Sequence, residues 1–414
     1  MNGKTTLVRS ILSSMILLGL LGMQPPQRTL AARDHARPSG LSYPLQAGTH
    51  ATSSCRVYVD AAASGGDGTS WATAYKNLQD GINAANIARG GGENTCDVWV
   101  RAGSYSPKNS GDLFWWEDFV NIYGGFTGTE TDISQRNWRT HASILQGNNY
   151  TVLQANFVYH TSLDGFTITG GDLAQRGGGI YVNCGAPFLT NLIIRNNNAS
   201  IGGGIFDYNF GCSYPGYAAI LWDVIISGNT ASTQGGGIYF GGGNPSLLNV
   251  AFYENSAPQG DGIYNYNSIP GLINVSMSGD GIYNFNSNLS IGNSIIWEWG
   301  LSVGVVNEGS SRIPTISYSL VDGCNPGGTW NNACGTDGTH NLPDADPKFV
   351  AELPADLHLQ GNSPAINKGD SSLISGLWTI DLDGNPRIVG SAVDLGAYEF
   401  QSTQWHIYLP LVVR

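Results

Sequence analysis

The chain has 414 residues, of which 57 are glycine and only 12% are charged, and its formal net charge is −12. Many glycines and few charges are typical of a turn-rich β protein and argue against a helical one. The acidic balance argues against nucleic acid as a partner, because a surface that binds phosphates is basic.

Residues 1–32 have the pattern of an export signal. A basic start precedes an apolar run from Ile11 to Met23, and Leu30-Ala31-Ala32 offers a small-residue cleavage site. The run is too short for a membrane-spanning helix, and no later stretch approaches 18 apolar residues. An uncleaved anchor is the alternative. Cleavage removes three cationic residues and no acid, so the net charge changes from −12 to −15.

The next two segments are predicted as a linker and the start of the folded part. Residues 33–54 contain Pro, Ser and Gly without periodicity, as a linker does. In residues 55–150, apolar side chains share one helical face between Asn77 and Ala88, which predicts a short amphipathic helix. A stacked fold exposes an apolar layer and strand edges at its first coil, so this helix is a candidate cap.

Residues 151–322 contain a repeat. A glycine-rich turn runs into isoleucine and then an aromatic residue five times, and the isoleucines are 25, 33, 25 and 19 residues apart. A unit of this length cannot bury its apolar face alone, so the repeat predicts a stacked solenoid. Strand alternation places the isoleucines inside and the aromatic rings on the opposite face. The copies are Gly177-Gly178-Gly179-Ile180-Tyr181, Gly202-Gly203-Gly204-Ile205-Phe206, Gly235-Gly236-Gly237-Ile238-Tyr239, Gly260-Asp261-Gly262-Ile263-Tyr264 and Gly279-Asp280-Gly281-Ile282-Tyr283.

Asparagines recur at two other phases of the same repeat. Asparagine tolerates left-handed backbone, and its amide can bond to the coil above and below, so both columns are predicted at corners of the stack. The columns are Asn197, Asn229 and Asn255, and Asn191, Asp223, Asn249, Asn274 and Asn293.

A family resemblance rests on these motifs. Phe252-x-x-Asn255 followed by Gly260-Asp261-Gly262-Ile263 resembles the repeats of polymorphic outer-membrane-protein-like proteins, which are right-handed parallel β-helices of the pectin-lyase-like type. The other copies have Ile for Phe and Gly for the family's usual Ala. The stretch from Val57 to Phe126 is similar to the opening of secreted bacterial β-helix proteins. The resemblance implies an all-β fold, with a right-handed parallel β-helix over residues 55–322, an N-terminal capping helix and a small C-terminal β domain.

Residues 323–400 resemble the "choice-of-anchor" domains that close such proteins. Self-anchoring relatives carry a long C-terminal β-barrel, so the chain is not expected to anchor itself as they do. The apolar tail 401–414 has two open interpretations, a sorting or docking tail and a final strand packed on the closing domain. The motifs that carry the resemblance are Asp346-Pro347-Lys348-Phe349, Ser363-Pro364-Ala365-Ile366-Asn367, Asp381-x-Asp383-Gly384-Asn385-Pro386-Arg387 and Asp394-x-Gly396-Ala397-Tyr398-Glu399.

Six cysteines fit an oxidising compartment. Six allow 15 pairings, so the connectivity stays open, although the positions suggest three local bridges. No Cys-x-x-Cys pair occurs and the seven histidines are scattered, which argues against a metal site. The suggested pairs are Cys55 with Cys96, Cys184 with Cys212, and Cys324 with Cys334.

Two kinds of polysaccharide-degrading site make different demands on the sequence. A lyase that acts on uronates needs cations, yet no lysine occurs between Lys108 and Lys348 and the chain is acidic. A glycoside hydrolase needs two carboxyl groups about 5–10 Å apart. Asp261 and Asp280 hold one phase of consecutive repeats and are expected roughly 5 Å apart. Aspartate is also a common turn former, which is the simpler interpretation.

The aromatic column is the stronger candidate for a binding face. Exposed rings beside asparagine amides suit sugars, whose C–H faces stack on aromatic rings while amides bond hydroxyls. The alternative is a stack that only stabilises the fold. The candidate residues are Tyr181, Phe206, Tyr239, Tyr264, Tyr283, Tyr266, Phe285, Asn265 and Asn284.

A calcium site is a weaker hypothesis, and no other cofactor is expected. Asp381-x-Asp383-x-Asn385 resembles the first part of a calcium loop, but Ala392 stands where a glutamate ligand belongs. Asp394 or Glu399 could replace it. The alternative is an aspartate-rich turn.

Together these patterns favour a non-catalytic, secreted or cell-surface protein that binds carbohydrate or mediates adhesion. A polysaccharide or cell-surface glycan is the expected partner, and the protein is expected to be a monomer without a transmembrane span. The first alternative is a polysaccharide hydrolase or lyase, and the second is a structural envelope protein.

Overall fold

The computed structural model describes residues 55–401, apart from 173, 215, 300–302, 310–311, 353–354 and 375–378. The predicted signal peptide 1–32, the linker 33–54 and all but the first residue of the tail 401–414 lie outside the described residues.

The chain folds as a right-handed parallel β-helix, as predicted. Successive coils pair in parallel, each strand with the strand one coil later. The largest sheet, called sheet 1, is bent along its length. Its described strands are Arg56–Val59, Cys96–Arg101, Gly103–Tyr105, Val120–Phe126, Ser143–Gln146, Ser162–Asp164, Phe166–Thr169, Phe188–Arg195, Ile220–Ser227, Ser246–Tyr253, Gly271–Ser278, Ser290–Gly292, Ile295–Trp297, Thr315–Ser317, Leu320–Val321 and Thr336–Asp337.

Two further parallel sheets complete the coil. Sheet 3 is short and follows sheet 1 in three of the described coils, and sheet 2 carries the repeat isoleucines. The strands of sheet 2 are Phe114–Trp116, Leu153–Asn156, Ile180–Asn183, Ile205–Tyr208, Ile238–Gly241, Ile263–Tyr266, Ile282–Phe285 and Val305–Glu308, and those of sheet 3 are Ala174–Arg176, Asn198–Ile201 and Thr230–Gln234.

The repeat motif occupies the entry to sheet 2. Ile180 pairs with Ile205, and the pairing continues in register to Ile282, with every one of these isoleucines buried in the core. The first glycine of a copy makes the turn. Gly177 has a φ of 62°, and a Cβ there would lie 2.4 Å from the carbonyl oxygen of Ile180, so no other residue fits.

The second asparagine column lies at the bend of sheet 1, where Asn191, Asp223, Asn249, Asn274 and Asn293 all have φ between 50° and 55°. Asparagine adopts this left-handed conformation more readily than other non-glycine residues, and the column thus turns the backbone between the two halves of the sheet.

The first asparagine column forms a buried ladder inside the solenoid. Asn197 Nδ2 donates to Asn229 Oδ1 at 3.0 Å, and Asn229 Nδ2 donates to Asn255 Oδ1 at 2.9 Å. Each amide also donates to a backbone carbonyl of the preceding coil, such as that of Ile194 for Asn229. The ladder satisfies polar groups that burial would otherwise leave unpaired.

Asp280 is the next member of this ladder. Its Oδ1 accepts from the Asn255 backbone N–H at 3.0 Å, and its Oδ2 accepts from Asn255 Nδ2 at 2.5 Å. Gly279, directly before it, has a φ of 67°, which matches the left-handed corner at Gly228 one residue before Asn229. The coil that ends in the fifth copy is short, with 19 residues between Ile263 and Ile282. In it, the corner that carries the ladder residue is followed at once by the turn before Ile282.

We expect Asp280→Asn to stabilise the protein, increasingly so at higher pH. Burial raises the pKa of Asp280 well above its usual value, so the folded carboxyl holds its proton more tightly than the unfolded one. The folded state therefore loses stability as the pH rises from about 4, whereas an amide accepts the same bonds uncharged. Urea unfolding at pH 5 and pH 8 should show a gain of roughly 1–3 kcal/mol at pH 8 and a smaller gain at pH 5.

Asp261→Asn is the matched control, because Asp261 is only half-buried. A pH-independent effect of Asp280→Asn, or an equal effect of both variants, would contradict the assignment of Asp280 to the ladder.

A helix closes the N-terminal end, as predicted. It spans Leu78–Ala88, and the Asn77 side chain caps it by accepting from Gln79 N at 2.9 Å. Leu78 and Ile82 are buried in the core against the first strands. The short 3₁₀ helices are Trp71–Thr73, Ile133–Gln135, Pro326–Gly328, Asn332–Cys334 and Ser371–Leu373.

Three disulfides form within the described residues, and all three suggested pairs are confirmed. Cys55 bonds Cys96, Cys184 bonds Cys212, and Cys324 bonds Cys334. The last pair closes a loop at the C-terminal end of the solenoid, where Trp330 packs against the core. Parallel pairing reaches Thr336–Asp337, beyond the predicted limit at residue 322.

The C-terminal segment lies on the outer surface of sheet 1. Its antiparallel strands are Phe349–Ala351 and Asp356–Leu359, and its apolar side chains cluster with Ala251, Ile295 and Leu320 of the solenoid. The contact is polar as well, since the backbone N–H of Ala397 donates to Ser276 Oγ at 2.9 Å.

Within the described ranges, no helix combines the length and apolarity that crossing a membrane requires.

Candidate functional site

The repeat aromatics form one continuous stack on the outer surface of sheet 2. Strand register places them directly above one another, because each follows a buried isoleucine. Their ring planes are nearly parallel, with interplanar angles between 7° and 15°. Centroid separations are 5.4 Å from Tyr181 to Phe206, 5.1 Å from Phe206 to Tyr239, 5.3 Å from Tyr239 to Tyr264 and 5.2 Å from Tyr264 to Tyr283.

Stacking changes what the rings present to solvent. Phe206, Tyr239 and Tyr264 are buried, while Tyr181 and Tyr283 at the two ends are half-buried. The inner rings cover one another's faces, so only their edges and hydroxyl groups reach the surface. The expectation of flat exposed rings along the whole column is therefore wrong for its three central members.

A second aromatic column runs beside the first. Tyr266 stacks on Phe285 with centroids 5.6 Å apart, and Tyr208 stacks on Phe206 of its own strand at 5.9 Å. The coil between Tyr208 and Tyr266 has Gly241 at this position, where a Cβ would lie 2.5 Å from the Tyr208 ring. Gly241 therefore makes room for that ring.

Polar groups border the two columns, which we call the aromatic face. The Arg176 guanidinium lies 5.3 Å from the Phe206 centroid, and Gln234 Nε2 donates to Gln259 Oε1 at 3.0 Å. Burial and a hydrogen bond with Glu308 raise the pKa of Tyr283 to about 12. Its hydroxyl thus stays protonated at physiological pH and donates to the Glu308 carboxylate.

Two predicted binding residues point the other way. Asn265 and Asn284 follow the repeat aromatics by one residue, so strand alternation turns both into the solenoid, where they are buried. Asn265 Nδ2 donates to Asn284 Oδ1 at 3.3 Å, and Asn284 Nδ2 donates to Asn307 Oδ1 at 3.1 Å. They form an internal amide ladder, and their proposed place beside sugar hydroxyls was wrong.

The carboxylate pair does not form an accessible site. Asp280 is fully buried in the asparagine ladder, whereas Asp261 is half-buried and accepts from the Ala257 backbone N–H at 2.6 Å. A hydrolase needs both carboxyl groups to reach the same bond of the substrate. The geometry of these two side chains does not provide that.

The aspartates of the predicted calcium loop have other partners in the structure. Asp381 accepts from the backbone N–H groups of Asp383, Asn385 and Glu399, which makes it the centre of a turn. Asp383 turns away and pairs with His358 Nε2 at 2.6 Å. Among the described residues, no three His, Cys, Asp or Glu side chains are arranged to share a metal ion.

Sequence reasoning missed two sets of polar or aromatic residues. Tyr208 follows Phe206 at the same spacing as Tyr266 follows Tyr264, so the repeat alone could have found it. His358 lies between Asp356 at 2.5 Å and Asp383, which is 25 residues away in sequence. Only the fold of the C-terminal segment brings that second aspartate close. The two carboxylates raise the pKa of His358 to about 9, so it is a cation near neutral pH and links two turns.

Among known proteins, similarity to this chain is found in solved structures. No protein-family model matches the chain, and no curated protein matches it. Solved structures do match, among them the crystal structure of pectate lyase Pel9A, which is 14% identical, with a TM-score of 0.49 over 84% of this chain and 97% of that chain.

Proposed function

We propose that this is a non-catalytic, extracellular or cell-surface protein that binds carbohydrate through the aromatic face. The supporting observation is the stack from Tyr181 to Tyr283 with its polar border. Three disulfides support an oxidising, extracellular compartment.

The shape and chemistry of the face favour an extended glycan chain. The stack of five rings is roughly 20 Å long and straight, since it follows the axis of the solenoid. Ring edges offer apolar contact to sugar C–H groups, and the hydroxyl, amide and guanidinium groups along the border offer hydrogen bonds. The charged groups described on its border, Arg176 and Glu308, have opposite signs, which suits a neutral polymer.

Substituting the accessible rings should weaken binding without unfolding the protein. Tyr266 and Tyr283 are half-buried and contribute ring edges to the face. The ligand to test is a soluble neutral polysaccharide that retards the wild type in native affinity gels. The affinity of the Tyr266→Ala/Tyr283→Ala double variant for it should be about tenfold lower.

Tyr318→Ala is the matched control. Tyr318 is also half-buried and stacks on His340 at 4.4 Å, but it lies at the bend of sheet 1, after the strand Thr315–Ser317. Retardation that the Tyr266/Tyr283 variant retains in full would overturn the assignment of the aromatic face.

A further inference from the structure

A set of exposed aromatic rings lies beside the aromatic face, on the loops that leave sheet 2. Phe157 follows the strand Leu153–Asn156, and Phe210 and Tyr214 follow the strand Ile205–Tyr208. Their exposures are 59%, 55% and 41%. Tyr159 lies 5.2 Å from Tyr214 and 5.5 Å from Tyr217, centroid to centroid, and joins the two loops. We call these five residues the loop shelf.

Phe157 occupies a corner that suits other residues better. Its φ of 56° is left-handed, a conformation that is costly for a bulky side chain. At the same corner of later coils the chain has Cys184, Gly242, Asn267 and Asn286, of which the glycine and the asparagines adopt this conformation readily. The protein therefore carries both backbone strain and an exposed apolar ring at Phe157, a combination that points to a ligand.

The neighbouring loop is held rigidly. Asp207 is buried and accepts from the Ala219 backbone N–H at 2.9 Å and from Asn209 Nδ2 at 2.5 Å, which fixes both ends of the loop. The disulfide between Cys184 and Cys212 ties it to the preceding coil. Rings held in place lose little entropy when a ligand binds.

The glycines of the next coil also fit this loop. A Cβ at Gly242 would lie 2.9 Å from the Phe210 backbone nitrogen, and a Cβ at Gly243 would lie 2.5 Å from the Tyr217 carbonyl oxygen. Neither position tolerates a side chain, so the loop packs closely against that coil and supports Phe210 from below.

We propose that the loop shelf binds the pyranose rings of a neutral glycan by stacking, and this rests on the proposed function of the aromatic face. Phe157 and Phe210 are more than half exposed, whereas the three central rings of the stack on sheet 2 are buried. Strand register separates their corners by two coils, or roughly 10 Å, so each can take a separate sugar residue. Tyr208, next to the start of the loop, makes the shelf continuous with the aromatic face.

The decisive variant is Phe157→Asn in the full-length protein. Asparagine is what the chain has at Asn267 and Asn286, so the variant should melt at the same temperature or a few degrees higher. In native gels that contain soluble β-glucan, mannan or galactan, its apparent Kd should rise at least fivefold for the polysaccharide that retards the wild type. Phe210→Ser should have a similar effect.

Ile313→Asn is the control, because Ile313 is 65% exposed and lies beyond the strand Val305–Glu308, six strands further along sheet 2. If Phe157→Asn is retarded as strongly as the wild type while the Tyr266/Tyr283 variant is not retarded, the proposal for the loop shelf is overturned and that for the aromatic face is retained. A fall of several degrees in the melting temperature of Phe157→Asn would show that Phe157 has a structural role, and it would overturn the proposal for the loop shelf. A wild type that none of the three polysaccharides retards overturns both proposals.

Discussion

Replacing Arg387 with methionine is expected to destabilise the protein by about 3–5 kcal/mol at neutral pH. Arg387 is buried where the C-terminal segment packs on sheet 1. Its Nε and Nη2 donate to the Asn274 side-chain oxygen, each at 3.0 Å, and Nη2 also donates to the Gly396 carbonyl. Methionine fills much of the volume but offers no donor, so these acceptors are left buried and unpaired.

The carboxyl groups around Arg387 make the loss depend on pH. Burial raises the pKa values of Asp223 and Glu399 to about 7, and it raises those of Asp381 and Asp394 as well. The guanidinium opposes each of these shifts, so without it the ionised carboxyls repel one another. At pH 5 the folded protein holds Asp223 and Glu399 protonated, and the penalty should be smaller than at pH 8.

Urea unfolding of Arg387→Met at pH 5 and pH 8 measures both effects. Arg195→Met is the control, because Arg195 is exposed at the end of its strand in sheet 1. Equal stabilities for the two variants, or a larger loss at pH 5 than at pH 8, would contradict this description of the C-terminal contact.

Replacing Asn229 with alanine should cost about 3 kcal/mol or more, because Asn229 lies in the middle of the buried ladder. Its Oδ1 accepts from the backbone N–H of Asn197 at 3.1 Å and from Asn197 Nδ2 at 3.0 Å. Its Nδ2 donates to Asn255 and to the Ile194 carbonyl, both at 2.9 Å. Alanine leaves buried partners on the preceding and the following coil unsatisfied and opens a cavity.

Asn198→Ala is the control one coil earlier, since Asn198 is exposed and its side chain donates to Asp172 at the surface. Thermal melts should show a drop of many degrees for Asn229→Ala and almost none for Asn198→Ala. A drop of a degree or less for Asn229→Ala would mean that the ladder contributes little to stability.

The sequence was sufficient to predict that the chain folds as a stack of coils, but it was less informative about which way individual side chains point. The spacing of Ile180, Ile205 and Ile238 was enough to predict a solenoid, because only a stacked fold keeps one phase buried through unequal loops. The positions of the six cysteines suggested the three disulfides, although the sequence alone left the connectivity open. These features depend on local repeats, which a single chain displays directly.

The errors had two causes, strand alternation and the unequal lengths of the coils. Asn265 lies next to Tyr264 in sequence, yet strand alternation turns it inside. Asp280 lies between two glycines as Asp261 does, and the two residues therefore align in sequence. Because its coil is shorter, however, Asp280 lies in the asparagine ladder. The exposed ring of Phe157 lies outside the repeat motif, so periodicity gave no signal for it. Only the burial of Asp280 depends on how one coil is cut short relative to the next.

Hydroxyl-radical footprinting, with and without the polysaccharide that retards the wild type, tests the proposed binding face most directly. Protection is expected at Tyr266, Tyr283 and Phe157, which lie on the aromatic face and the loop shelf, and not at Tyr318 on sheet 1. Protection confined to Tyr318 and the C-terminal segment, with Tyr266 and Tyr283 equally reactive in both states, would contradict the proposal that this side of the solenoid binds carbohydrate.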